Sequence, residues 1–135
     1  MKKTFLALLC LCLIACSNKP SERTMAALIE AELLRDGGEQ TYAMTNFEKT
    51  NGLAKNDQFY SADVRYTLTF KTSFDDLSEQ VLNTPSESPF ASVAAGFKLM
   101  TMRMEYGDFK AGDKADIEDQ IDFVKTEQGW QIGQD

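Results

Sequence analysis

Histidine is absent from the 135 residues, and the three cysteines, Cys10, Cys12 and Cys16, crowd into the N-terminus. The first absence removes the commonest general base and the commonest transition-metal ligand. With no cysteine after Cys16, zinc and iron–sulfur centres, Cys-His hydrolases and Ser-His-Asp triads are excluded from the rest of the chain. Only carboxylate, lysine, tyrosine or serine chemistry is left. Basic residues are also scarce, 14 Lys and Arg against 21 Asp and Glu, for a formal charge of −7. That balance argues against a nucleic-acid partner and against attraction to anionic lipid, both of which want Lys/Arg clusters. No internal repeat or low-complexity segment occurs.

What is present begins with a short basic head, Lys2 and Lys3, and an apolar run from Phe5 to Ala15. A helix of that run would rise about 16 Å, roughly half a bilayer core, so it is too short to span and has the order of a secretory signal. It ends Leu13-Ile14-Ala15-Cys16, which resembles the lipobox of bacterial lipoproteins. The resemblance implies a leader, residues 1–15, removed after Ala15, with Cys16 carrying the lipid. A thiol suits that chemistry because its thiolate is a strong nucleophile at modest pH. Ser17, not Asp, follows the cysteine, which in the enterobacterial sorting pattern points to the outer membrane, facing the periplasm or the surface. Cys10 and Cys12 then leave with the leader and Cys16 is blocked, so no thiol and no disulfide stabilises the mature chain. Lys2 and Lys3 also leave, which makes the mature protein more acidic still.

Residues 16–23 read as a lipidated tether containing Pro20, and 24–135 as one globular domain. Thr24 is placed to cap a helix to about Arg35, with Met25, Leu28, Ile29 and Leu33 on one face and Asp36-Gly37-Gly38 as its stop. Thr41–Thr50 is expected to be a strand, and Asn51-Gly52 through Asn56-Asp57 a turn. In Phe59–Thr72, Tyr60, Ala62, Val64, Tyr66, Leu68 and Phe70 alternate with polar residues, the period of a half-buried antiparallel strand. Ser73 can cap a helix over Phe74–Asn83. Ser88-Pro89 can open another, ended by Gly107, with Phe90, Val93, Ala94, Phe97, Met100 or Thr101 and Met104 as its buried face. Met100, Met102, Met104 and Tyr106 also alternate, which leaves a strand open over 98–106. Strands over Ala115–Thr126 and Trp130–Gly133 close the chain.

The candidates for chemistry each have a plain structural explanation. Asp113, Asp116, Asp119 and Asp122 recur every third residue, which on a strand throws them to both faces rather than onto one cation. Asp75, Asp76 and Glu79 sit where a helix dipole favours acids. Met100, Met102 and Met104 have thioethers of the kind that select Cu(I), but around a helix they fan apart and suit packing instead. The sequence therefore implies no cofactor and no metal. Tyr60, Tyr66 and Phe70, with Trp130, form a possible aromatic-lined ligand cone.

The order of elements gives an α+β domain: an N-terminal amphipathic helix packed on an antiparallel sheet of about four strands, with one or two helices inserted between the hairpins. Its ending, Gly129-Trp130-x-Ile132, resembles the small exported domains of the cystatin-like and NTF2-like group. That group implies binding more often than catalysis. The expected function is thus a membrane-anchored, non-enzymatic envelope lipoprotein that binds another protein or an envelope component. A small-ligand binder using the cone is the alternative, and a carboxylate-based enzyme the remote one. Lipidation has a direct check: membrane-extracted protein should exceed the mass of polypeptide 16–135 by an acylated glyceryl group. An unmodified mass would refute it.

Overall fold

The computed structural model describes residues 18–134, so Ala15, Cys16 and the lipobox lie outside the described residues. The chain runs α1 (Glu22–Leu33), a 3-10 turn (Arg35–Gly37), α2 (Gly38–Thr41), β1 (Tyr42–Ala54), β2 (Phe59–Phe70), α3 (Phe74–Asn83), α4 (Pro89–Tyr106), β3 (Lys114–Thr126) and β4 (Gly129–Ile132). The four strands form one antiparallel sheet in the order β1-β2-β3-β4, with α3 and α4 inserted between the two hairpins. This is the α+β arrangement that the sequence leads one to expect.

β2 is the axis of the sheet because its alternation satisfies two environments at once. Tyr60, Ala62, Val64, Tyr66, Leu68 and Phe70 are all buried, and Val64 and Leu68 retain only 1% of their surface. Met25 and Ile29 of α1 complete that core with Phe123 of β3. On the other face Arg65 reaches Glu118 at 2.9 Å, and the Thr67 hydroxyl donates to Asp116 at 2.8 Å. Thus one face is covered by a helix and the other is a polar ladder, in which Arg65 is exposed while Ser61 and Thr67 are buried.

Three boundaries differ from expectation. Ser21, not Thr24, caps α1: its hydroxyl oxygen accepts from the Thr24 N–H at 3.1 Å, which starts the helix earlier. After the helix stops, Gly38–Thr41 make an unexpected short helix. Asn51-Gly52 is not a turn, since β1 continues to Ala54. The glycine serves the neighbouring strand instead: a Cβ on Gly52 would stand 1.9 Å from the Tyr60 hydroxyl. The chain reverses at Lys55–Gln58, where the Asn56 carboxamide oxygen accepts from the Gln58 and Phe59 N–H groups.

The remaining helices begin where their caps direct. Ser73 accepts from the Asp76 N–H at 3.1 Å and Ser88 from the Ala91 N–H at 3.2 Å, with Pro89 at the first turn. Helix α4 then continues to Tyr106, so residues 98–106 are helix and not strand.

The two faces of β2 have opposite tolerance. Val64→Lys places an unpaired charge in the core and should cost several kcal/mol, enough to unfold the domain. Arg65→Glu loses exposed pairs to Glu118 and Glu48 and should cost about 1 kcal/mol or less. Chemical denaturation of the two variants checks this; equal tolerance would reverse the face assignment.

Candidate functional site

Where β2 ends, an aromatic knot fastens the inserted helices. Phe70 stacks on Phe109 with centroids 4.0 Å apart and meets Tyr106 and Tyr42 edge-on at 5.3 and 5.8 Å. Phe74 of α3 meets Phe109 edge-on, and the Arg103 guanidinium lies 5.4 Å from the Phe74 ring centroid. Leu99 and Met102 of α4 are buried here, and Tyr42 donates its hydroxyl hydrogen to the Met102 sulfur at 3.5 Å. The α3–α4 pair is therefore an arm rooted at one end of the sheet.

The rest of α4 turns away from that root. Phe90 is 87% exposed, Phe97 70% and Met104 79%, and Val93 and Met100 are also exposed. These are the residues expected to be the buried face, and the structure reverses that assignment. The reason is that α4 has two apolar stripes. Ala95, Leu99, Met102 and Tyr106 keep helical spacing on the inner side, while Phe90, Val93, Phe97, Met100 and Met104 keep it on the outer side. Periodicity shows that a stripe exists but not which stripe meets the core. A helix apolar on both sides is ordinarily buried on both, and here the outer side is exposed. Leu82, 76% exposed on α3, adds to the uncovered apolar surface of the arm.

Gly96 sits in this outer region, in one row with Val93 and Met100. A Cβ there would meet nothing within 4 Å, so the packing of one chain gives no reason for a glycine. Relative to alanine, a mid-helix glycine costs roughly 1 kcal/mol.

Between α2, α3 and the inner side of α4 lies a cavity of about 320 Å³, with Leu77, Val81, Leu99 and Met102 as apolar lining and Gln80 and Lys98 among its polar groups. Sequence reasoning missed it because it depends on the short helix α2. A wider recess of about 680 Å³ at the α3–α4 loop shares Val81, Thr84 and Ala95 with it.

The proposed aromatic cone does not surround these spaces. Tyr60 and Tyr66 are buried in the main core with Trp130 packed against it, whereas Phe70 belongs to the second cluster at the arm's root. Trp130 instead carries Lys125 over its ring at 5.9 Å. Cys16 and Ala15, the expected lipidation and cleavage positions, lie outside the described residues.

The acids are distributed as structural groups. Asp122 pairs with Lys55 at 2.7 Å, and hydrogen bonds from Lys55 and Ser61 hold its carboxyl below the usual range. That direction is opposite to what a general acid needs. Asp76 accepts from the Ser73 hydroxyl at 2.6 Å as part of its cap. Of the three clustered methionines, Met102 is buried while Met100 and Met104 face out. Among the described residues, no group of His, Cys, Asp and Glu is arranged to hold a metal, and no helix is long and apolar enough to cross a membrane. No protein-family model, no curated protein and no solved structure matches the chain.

Burial pushes the phenols of Tyr42, Tyr66 and Tyr106 upward, reinforced by Glu105 for all three and by Asp119 for Tyr66. Their folded-state values exceed the unfolded value of about 10. The stability they contribute is present below that pH and lost as pH rises toward the folded values. Phenolate absorbance from these three tyrosines should therefore appear together with unfolding, above pH of about 10. Phenolate signal from all tyrosines ahead of unfolding would show the rings to be open to water.

Proposed function

We propose that this chain is a lipid-anchored, non-enzymatic envelope protein whose folded domain docks another protein on the outer face of α4. The observation that carries the reading is that face: five large apolar side chains lie uncovered along a single helix. Soluble monomers rarely leave so long an apolar stripe in water, and such patches mark interaction sites. The acidic, histidine-free composition fits binding better than catalysis. The likeness to the small exported cystatin-like and NTF2-like group belongs to the same reading. Its supports are an N-terminal helix packed on the sheet and a last strand carrying Trp130 and Ile132.

The lipid anchor at Cys16 supplies the location. Asn18 donates to Asp57 at 3.2 Å, so the chain leaves the domain at the β1–β2 turn. The arm is rooted at the other end of β2, a strand of 12 residues and so about 40 Å away. Anchored in this way, the domain has the root of its apolar arm at the far end of β2 from the attachment point.

Small-ligand binding is a second reading, and the cavity of about 320 Å³ favours it. It places the ligand among the helices of the arm rather than at Tyr60, Tyr66, Phe70 and Trp130.

Cross-linking in cells, followed by mass spectrometry, tests the docking function. The native protein should give adducts of higher mass that Phe97→Asp loses. Because Phe97 is largely exposed, that variant should keep its fold within about 1 kcal/mol. A Cys16→Ala variant run beside it should lose membrane attachment and reduce the adducts. Adducts that survive Phe97→Asp unchanged would remove the docking role from α4.

A further inference from the structure

The outer face of α4 is apolar on both sides of Phe97, although within the five-residue stripe only Phe90 and Met104 exchange with each other. Reflection along the helix through Phe97 exchanges Phe90 with Met104, Val93 with Thr101 and Ala94 with Met100. Every exchange pairs an apolar residue with another apolar residue or with threonine. The charged residues of the helix stay off this face: Lys98 lines the inner cavity, and Arg103 lies over the Phe74 ring and pairs with Asp108. A two-fold axis needs this self-complementarity, because residue i must suit residue j while j suits i. A partner of different sequence makes no such demand.

We propose that the face is occupied by a second copy of this chain, the two α4 helices lying antiparallel across a two-fold axis at Phe97. This names the partner for the docking face described above and rests on that reading. Antiparallel helices also oppose their dipoles. Gly96 fits here: beside Val93 and Met100 it adds no side chain of its own that would hold the second helix away from the Phe97 contact.

The area is sufficient. With roughly 150–200 Å² for each large side chain, the exposed parts of Phe90, Val93, Phe97, Met100 and Met104 amount to roughly 540–720 Å² of apolar surface. A standard interface buries about 800 Å² per partner, somewhat more than half of it apolar. Covered completely, the stripe would supply that apolar share.

A bilayer is the weaker occupant on the same observations. Interfacial helices carry Lys and Arg densely on their polar side, whereas α4 has only Lys98 and Arg103 along its 18 residues.

The test uses the full chain in its own membranes with one added cysteine, and the parent chain as control for Cys10, Cys12 and Cys16. Phe97→Cys lies on the axis and should give a disulfide-linked dimer of this chain under mild oxidation, which Asp119→Cys on the sheet should not. Phe90→Cys and Met104→Cys, co-expressed as separate chains, should cross-link to each other more than either does to itself. After extraction in mild detergent, Phe97→Asp should weaken dimerisation by about thirtyfold or more in sedimentation, as loss of a central aromatic anchor does. A Phe97→Cys adduct containing a different protein would overturn the second copy and leave α4 as a docking face. A thiol that is freely alkylated from water and forms no adduct would overturn both. A thiol reached only by a lipid-soluble reagent would assign the stripe to the bilayer and also overturn both.

Discussion

Phe70 is the point on which the two halves of the molecule depend. Its backbone closes the sheet, because its N–H donates to the Asp113 carbonyl at 2.9 Å and its carbonyl accepts from Gly112 at 2.7 Å. Its ring is also the centre of the aromatic knot with Tyr42, Tyr106 and Phe109. One residue thus ends β2, fixes the loop before β3 and seats the C-terminal end of α4. Aromatic pairs at these separations contribute about 0.5–1.5 kcal/mol each beyond area burial. That is enough to hold an arm at its root while its outer face stays exposed.

The sheet was legible because β2 faces different solvents on its two sides. Six alternating positions from Tyr60 to Phe70 leave one register compatible with burial, and a slip of one residue would expose all of them. Caps were legible for a similar reason. Ser73 and Ser88 have few other ways to satisfy helix-end N–H groups, and Pro89 has no N–H to lose. Asn51-Gly52 misled because a glycine signals either a turn or a close approach. Only the position of Tyr60 across the sheet, set by long-range pairing, decides between them.

Helix α4 shows the complementary limit. Phe90, Val93 and Phe97 are as strongly apolar and as regularly spaced as Leu99, Met102 and Tyr106, so local pattern cannot rank the two stripes. The ranking comes from Phe70 and Tyr42, which lie far away in sequence and select the stripe carrying Leu99 and Met102. The cavity is invisible for the same reason: Leu77, Lys98 and Gly38 become neighbours only after the arm has docked. The aromatic cone erred in the other direction. Tyr60, Tyr66 and Trp130 meet in the main core while Phe70 belongs to the second cluster, and the packing that consumes them is the core itself.

Burial is therefore unevenly divided along β2. Toward the β1–β2 turn, α1 and the strand residues fill a closed core around Phe123 and Met25, both fully buried. Toward Phe70, burial becomes incomplete and apolar side chains accumulate in water on α4. Burying a large apolar side chain stabilises by about 1.5–3 kcal/mol, so those outward residues represent association energy that folding alone leaves unused. A sequence shaped only for folding would have polar residues there, as it has on the open face of the sheet with Arg65, Asp116 and Glu118. The sheet face meets water with charged side chains and the α4 face meets it with apolar ones, and that contrast is the observation on which the proposed docking role rests.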